Sequence, residues 1–228
     1  MTNYRLAVVA AIAASGMLVA ATSSFGVSLS QLMEFGSPAA VREGVAGKAT
    51  VESRDKDGAT PLMIAAGFNQ NPNVISALLK AGAKIDDHAH GNVTPIMYAA
   101  FNQNPQVASV LIKAGANVNA TEWDGETPLM VAAGYNRNPL VISTLLKAGA
   151  KIDQRDSRGM TALMFASQNP NPAIITELIK AGANGQLRSK DGKTAYDYAA
   201  MNVNLKGTSQ LDELRSAAQT GHTTAARA

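Results

Sequence analysis

The densest cluster of side chains able to do chemistry is formed by Asp86, Asp87, His88 and His90. Two histidines two positions apart face the same side of an extended segment, and with a carboxylate they could bind a metal ion such as zinc. The cluster occurs once, however, and no further ligand follows it at a recognisable spacing. It also falls at the predicted tip of a hairpin, where water would surround it. We therefore predict a solvated loop at this position, with no metal and no cofactor.

Other constellations that support catalysis are missing from the sequence. The third histidine, His222, lies near the C-terminus in a predicted frayed tail, so no Ser-His-Asp arrangement has a buried base. The 228 residues include no cysteine, which excludes disulfides and thiolate zinc sites. A net charge of +3 without a basic tract does not favour nucleic acid as a partner. These features predict a protein that is not an enzyme and acts by binding.

The elements that must position any binding site come from a repeated pattern. Thr-Pro-Leu-Met-Ile-Ala-Ala begins at Thr60, and related segments follow at spacings of 34, 33, 34 and 33 residues. These segments begin at Thr94, Thr127, Thr161 and Thr194. A second segment, Lys-Ala-Gly-Ala, recurs in phase with the first, at Lys80, Lys113, Lys147 and Lys180. Two patterns that share one period indicate an array of repeats rather than a domain with a single core.

Each repeat contains a turn signal and the start signals of two helices. Gly58 suits the positive backbone dihedral of a tight hairpin, and Asn92 is the one non-glycine residue at the equivalent positions. Thr60 and Pro61 then predict the N-cap and the first residue of an inner helix. An Asn-Pro pair predicts the start of an outer helix, and it recurs with Asn71, Asn104, Asn138 and Asn171. The order is therefore hairpin, inner helix, loop and outer helix.

This order and the Thr-Pro-Leu opening resemble the ankyrin repeat, with the strong match covering about Asp55 to Asn184. The family usually has histidine after Thr-Pro-Leu, whereas this chain has methionines, which we interpret as core filler. They are Met63, Met97, Met130 and Met164. The resemblance implies an all-α repeat solenoid that forms one curved array. We expect an N-terminal cap repeat at 28–54, four full repeats at 55–187, a C-terminal cap repeat at 188–219 and a disordered tail at 220–228.

The first 21 residues have the order of a secretory signal. Arg5 is followed by an apolar stretch and then by small residues, and no further charge occurs before Glu34. We predict cleavage after Ala20 or Ala21, which leaves 19 basic and 17 acidic residues, a net charge of +2. A retained membrane anchor is the alternative. The Asn-Pro loops, and Gly67 and Gly134 without a counterpart in the second repeat, resemble bacterial members of the family more than the eukaryotic consensus. The predicted compartment is the periplasm.

The aromatic residues favour one face of the array. Beyond Phe35, seven lie in or just after the inner helices, none lies in an outer helix, and Trp123 lies at a hairpin tip. In the ankyrin family the tips and inner helices line the concave face that binds partners. We interpret Tyr98, Phe165 and Tyr198 as core residues. Phe68, Phe101 and Tyr135 suit either the core or the partner surface. The predicted surface comprises Trp123, Tyr135, Asp124, Glu126, His90, Lys56, Asp57, Arg158 and Met160, together with Phe68 and Phe101.

Resemblance to exported ankyrin proteins implies a protein partner and two possible roles for a monomeric array. One is an inhibitor or immunity factor that covers the active site of a wall-degrading or lipid-degrading periplasmic enzyme. The other is an accessory scaffold for a periplasmic enzyme such as a catalase, tethered to the membrane if the N-terminal segment is retained. An inhibitor predicts one tight contact surface, and a scaffold predicts two separable surfaces. A metal-dependent enzyme that uses His88 and His90 is the competing class.

Overall fold

The computed structural model describes residues 29–45 and 48–220, which form a row of helix pairs joined by turns. The helices are α1 (Leu29–Phe35), α2 (Pro38–Gly44), α3 (Lys48–Val51), α4 (Pro61–Phe68), α5 (Pro72–Lys80), α6 (Pro95–Ala99), α7 (Pro105–Lys113), α8 (Pro128–Tyr135), α9 (Pro139–Lys147), α10 (Ala162–Ala166), α11 (Ala173–Lys180), α12 (Ala195–Ala199) and α13 (Ser209–Thr220). Two 3-10 helices lie at His90–Asn92 and Val203–Leu205. The predicted signal segment, residues 1–21, and residues 221–228 of the predicted tail lie outside the described residues.

Inner and outer helices form two parallel rows. The inner helices α4, α6, α8, α10 and α12 each contact the next, and the outer helices α5, α7, α9, α11 and α13 do the same. α1 and α2 extend these two rows before the first full repeat. The four repeated methionines are at most 1% exposed, which confirms that they fill the core. The predicted all-α repeat solenoid is therefore confirmed. None of the helices within the described ranges is long and apolar enough to cross a membrane.

The predicted caps mostly form as expected. The hydroxyl of Thr60 accepts a hydrogen bond from the Met63 N–H, and Thr127 and Thr194 cap their helices in the same way. Thr94 and Thr161 have the extended backbone of an N-cap but no side-chain cap bond. The outer helices α5, α7 and α9 are capped by Asn71, Asn104 and Asn138, while α11 begins at Ala173, one residue later than its Asn-Pro pair predicts. Local sequence thus determines most helix starts.

The predicted hairpins form as tight turns. No strand occurs in residues 29–45 or 48–220. In the first turn, residues 55–59, the Asp55 N–H donates to the Ala59 carbonyl at 3.0 Å, and Gly58 has φ +78°. Asn92 has φ +63° and is the one non-glycine residue with positive φ in the described part of the chain. The equivalent turns lie at 89–93, 122–126, 156–160 and 189–193. We call these five segments the tip turns.

A ladder of buried asparagines joins the loops between inner and outer helices, and sequence analysis missed it. The Asn136 amide nitrogen donates to the Ala100 carbonyl at 2.8 Å and the Asn102 carbonyl at 2.9 Å, both in the preceding repeat. Its oxygen accepts from the Asn138 N–H at 2.8 Å. The same bonds recur at Asn69, Asn102, Asn169 and Asn202. The ladder therefore fixes the spacing of successive loops.

Inner helices alternate in length because every second repeat carries one extra residue. That residue is Gly67 in α4 and Gly134 in α8. A Cβ atom on Gly67 would lie 3.4 Å from the ring of Tyr98, and one on Gly134 would lie 3.3 Å from the ring of Phe165. Each glycine of a longer repeat therefore makes room for an aromatic ring in the following, shorter repeat.

Candidate protein-binding surface

Trp123 lies on the third tip turn and is 73% exposed. Its backbone N–H donates to the Gly91 carbonyl of the preceding turn at 3.0 Å. Within its own turn, the Glu122 carboxylate accepts from the backbone N–H groups of Asp124 at 2.9 Å and Glu126 at 3.3 Å. These bonds hold the backbone while the indole remains in solvent. The indole is therefore available for contact, as the sequence predicts for a hairpin tip.

Arg158 of the fourth tip turn joins that turn to the third. Its guanidinium donates to the Glu126 carboxylate at 3.0 Å and to the Asp156 carboxylate, with Nε at 3.0 Å. The same guanidinium lies over the Phe165 ring, 5.5 Å from its centroid. Asp156 is buried, and a buried carboxylate is stable only when it is paired and hydrogen-bonded. This network therefore makes the two turns one rigid support for Trp123.

The structure corrects the predicted surface at two residues. Met160 is only 4% exposed, because its N–H closes the turn on Asp156 and its side chain packs in the core. Glu126 is also buried, beneath its ion pair with Arg158. Neither side chain is available for direct contact with a partner. Both instead stabilise the tip turns, Met160 by packing in the core and Glu126 by pairing with Arg158.

The remaining tip residues form one line along the array. Each turn donates a backbone hydrogen bond to the preceding turn at 2.7 to 3.1 Å, in the pairs His90 to Asp57, Trp123 to Gly91, Ser157 to Asp124 and Lys190 to Arg158. This chain of bonds brings together most of the predicted tip residues. We call them the tip row: Lys56, Asp57, His90, Trp123, Asp124 and Arg158.

A second group of aromatic residues lies at the other end of the inner helices. Tyr135 is 37% exposed and its ring centroid is 5.5 Å from that of Phe101, while Phe68 and Phe101 are half-buried. Each precedes a ladder asparagine, as does the exposed Met201. The exposed Phe35 lies at the equivalent position of the first repeat, before Gly36, whose carbonyl accepts from Asn69. Sequence analysis included neither Phe35 nor Met201. The spacing of 33 residues from Phe35 to Phe68 was the available signal. We call this set of four aromatic residues and one methionine the aromatic row: Phe35, Phe68, Phe101, Tyr135 and Met201.

The predicted site is therefore two surfaces. Trp123 precedes α8, and Tyr135 ends it. An eight-residue helix is about 12 Å long, so the two side chains belong to opposite ends of the inner layer. A partner that contacts the tip row does not need to contact the aromatic row.

The Asp-His cluster does not have the geometry of a metal site. Both oxygens of Asp87 accept from Arg54, at 2.7 and 2.8 Å, and Asp86 accepts from the Asn117 N–H at 3.0 Å. His88 and His90 are exposed. No group of three or more metal-ligating side chains occurs within residues 29–45 and 48–220. The carboxylates instead join consecutive repeats.

The pKa of Asp87 is lowered by its partners. Partial burial acts to raise the pKa, but the hydrogen bonds from Arg54 and the His88 N–H, with the charges of Arg54 and Lys84, outweigh it. A carboxyl whose folded pKa lies below its unfolded value of about 3.9 stabilises the fold above that pH. This stabilisation is lost as the pH falls through the folded pKa.

We expect Asp87→Asn to lower the free energy of unfolding by about 1 kcal/mol at pH 7, the upper end for a partly exposed pair. The difference from the parent should shrink below about pH 4 and vanish once Asp87 is protonated in both states. Urea unfolding at several pH values measures it, with the exposed Asp191→Asn as the control. A difference that stays constant between pH 7 and pH 2.5 would rule out the ion pair as its cause.

Comparison with known proteins agrees with this architecture. The family model for ankyrin repeats, in three copies, matches residues 29–122, 81–156 and 129–213. No curated protein gave a significant match. Ankyrin repeats are modules for binding other proteins, and the family is typically non-catalytic. The matches extend from the first described helix into the last, so the chain belongs to the ankyrin-repeat family.

Proposed function

We propose that this protein is exported to a bacterial periplasm, where it binds an enzyme through the tip row and blocks its active site. The enzyme class we favour is a wall-degrading or lipid-degrading hydrolase, from which the protein would protect the cell that makes it. The single observation that carries the proposal is the exposed Trp123 on a turn that is closed by its own hydrogen bonds.

The tip row has the physical properties of an inhibitory surface. Tryptophan is among the residues that contribute most binding energy at interfaces, where it fills a pocket on the partner. The hydrogen bonds of the third turn and the Arg158 network hold the backbone around it before binding. Less conformational entropy is therefore lost on association. The polar neighbours Lys56, His90 and Asp124 suit the rim of such an interface.

Export is proposed from the sequence of the first 21 residues. Their order of one basic residue, an apolar stretch and small residues is that of a cleaved signal. The absence of cysteine suits an oxidising compartment. Sequencing the N-terminus of the exported protein tests this part. A new terminus at Ala21 or Thr22 is expected, and an intact Met1 would indicate a retained anchor.

The binding proposal predicts that Trp123→Ala abolishes most affinity for the enzyme. Residues 22–228 would serve as bait in periplasmic extract, followed by purification of the captured hydrolase and titration of its activity. We expect one-to-one inhibition by the parent and a loss of at least about 30-fold in affinity for Trp123→Ala, the effect of losing a binding residue worth 2 kcal/mol.

The matched control is Leu140→Ala, because Leu140 is exposed on the outer helix of the same repeat. It should leave inhibition unchanged, and urea unfolding should show that both variants keep the stability of the parent. Equal inhibition by the parent and Trp123→Ala would place the binding surface elsewhere. A hydrolase that is captured but remains fully active would overturn the inhibitor role.

The aromatic row favours a second candidate function, that of a scaffold. Its members Phe35 and Met201 are exposed and lie at the far end of the inner helices from Trp123. Two separate surfaces suit a protein that holds a periplasmic enzyme such as a catalase against a second component, either free or tethered to the membrane. In the capture experiment, a scaffold would lose one partner with Trp123→Ala and a different one with Tyr135→Ala.

A further inference from the structure

Arginines at one position of the repeat, which we call the arginine column, form hydrogen bonds that join successive tip turns. The residue just before each turn is Arg54, His88, Thr121, Arg155 or Arg188. The Arg54 guanidinium donates to the Gly58 carbonyl of its own turn and to the His88 carbonyl of the next repeat, both at 2.8 Å. Arg155 makes the equivalent bonds to Gly159 and Arg188. An arginine at this position therefore fills the space between two repeats.

The column is interrupted at His88 and at Thr121, and an open cleft lies beside the first interruption, between the second and third repeats. Its volume is about 340 Å³, and it is lined by Asp86, Asn92, Thr94, Asn117, Asn119, Ala120 and Thr121. Asn92 and Thr121 are the equivalents of Gly58 and His88, whose carbonyls Arg54 contacts one repeat earlier, while Ala120 takes the place of Asp87 and offers no carboxylate. The cleft thus occupies the place where an arginine at position 88 would put its guanidinium.

The lining of the cleft offers acceptors and one negative charge. Asp86 contributes a carboxylate, of which Oδ1 accepts from the Asn117 N–H, and no lining residue is cationic. The Thr121 carbonyl, the counterpart of the one that Arg54 bonds, accepts from the Asn92 amide at 2.6 Å.

Thr94 is only 6% exposed, and its hydroxyl is the one buried side-chain polar atom without a hydrogen-bond partner in the described residues. Such a group costs about 1–3 kcal/mol until it is satisfied. A planar cation with several N–H donors matches the Asp86 carboxylate and the carbonyls of this lining, and a small shift of the lining would bring it to the buried Thr94 hydroxyl.

The cleft lies beside the exposed tryptophan. Thr121 precedes Trp123 by two residues, and the Trp123 N–H bonds to Gly91, next to Asn92. A partner segment that packs on Trp123 is therefore within reach of the cleft. We infer that this cleft binds an arginine side chain of the partner, which completes the interrupted arginine column from outside. This inference rests on the proposed function of the tip row.

The test uses a small probe on residues 22–228, a range that contains every described residue. The probe is N-acetyl-arginine amide, and the control is N-acetyl-citrulline amide, which has the same shape without the charge. Backbone amide shifts followed by NMR should move at Thr94, Asn117 and Thr121. Binding of the citrulline compound should be at least tenfold weaker. Equal shifts with both compounds, or shifts confined to other residues, would overturn the inference.

Two variants separate occupancy of the cleft from a general surface effect. His88→Arg places a guanidinium in the cleft from within the chain, so it should weaken probe binding at least tenfold and raise the midpoint of urea unfolding. Asp86→Asn removes the charge without filling the space and should weaken probe binding severalfold. Undiminished probe binding by both variants would contradict the assignment.

The last test measures how His88→Arg changes inhibition of the captured enzyme. If its arginine enters the cleft, His88→Arg should weaken inhibition of the captured enzyme at least tenfold while Trp123 remains in place. Inhibition that depends on Trp123 and is unaffected by His88→Arg would leave the proposed function standing and remove the arginine site. Probe binding without any captured enzyme would leave the arginine site standing and remove the proposed function.

Discussion

Asn136→Asp is expected to lower the free energy of unfolding by about 3–5 kcal/mol, the range for a buried charge without a partner. The amide nitrogen of Asn136 donates to two carbonyls of the preceding repeat, and the side chain is fully buried. Aspartate has almost the same shape but would direct a carboxylate oxygen at those two carbonyls. It would keep only the bond accepted from the Asn138 N–H.

Asn138→Asp is the matched control for this substitution, two residues away. Asn138 donates to the Gln103 carbonyl and caps α9 by accepting from the Leu140 N–H at 3.0 Å. Aspartate caps a helix as well as asparagine does, and its charge favours the helix N-terminus. We expect a loss below about 1 kcal/mol in urea unfolding followed by circular dichroism. Equal losses for the two variants would mean that the ladder does not join the repeats.

Asp156→Ala should be the second most damaging substitution, with a loss of about 3 kcal/mol. The Asp156 carboxylate accepts from the backbone N–H groups of Arg158 at 2.9 Å and Met160 at 2.8 Å. It also binds the Arg158 guanidinium. Alanine would leave these donors without acceptors, and each buried unsatisfied group costs about 1–3 kcal/mol.

Urea unfolding measures the loss in Asp156→Ala, and Asp124→Ala is the control because Asp124 is exposed on the neighbouring turn. That variant should stay within about 0.5 kcal/mol of the parent. Acrylamide quenching of Trp123, the sole tryptophan, reports separately on the third turn. A loss below 1 kcal/mol for Asp156→Ala would show that the fourth turn does not depend on this carboxylate.

Sequence reasoning succeeded where a residue acts on its near neighbours. Asn71 caps a helix that starts at the next residue, and Thr60 bonds a group three residues ahead, so both roles follow from local pattern. Asn69 has the same side chain as Asn71 but bonds to the carbonyls of Met33 and Gly36. Such a role depends on packing between repeats. Its signal was the regular spacing of a second asparagine, which the Asn-Pro pattern obscured.

The candidate site shows the same division. A hairpin tip predicts exposure, and Trp123 is exposed as expected. Position in a turn does not determine which side chains point inward, and for that reason Met160 and Glu126 were misplaced on the surface. Sequence analysis predicted only part of the aromatic row. It did not include Phe35, because this residue belongs to a diverged first repeat without the Thr-Pro motif. Its place became visible only in the structure, where α1 extends the inner row and the Gly36 carbonyl, just after Phe35, accepts from Asn69.

The alternation of inner-helix length determines which deletions of whole repeats leave the core packed. The glycine of a longer repeat accepts the ring of the shorter repeat that follows, as Gly67 accepts Tyr98 and Gly134 accepts Phe165. Deleting residues 94–126, one repeat, would set Gly67 beside Val131 and leave a gap in the core. Deleting residues 94–160, two repeats, would set Gly67 beside Phe165 and restore the fit. Removal of two repeats therefore preserves this contact between neighbouring inner helices, whereas removal of one does not.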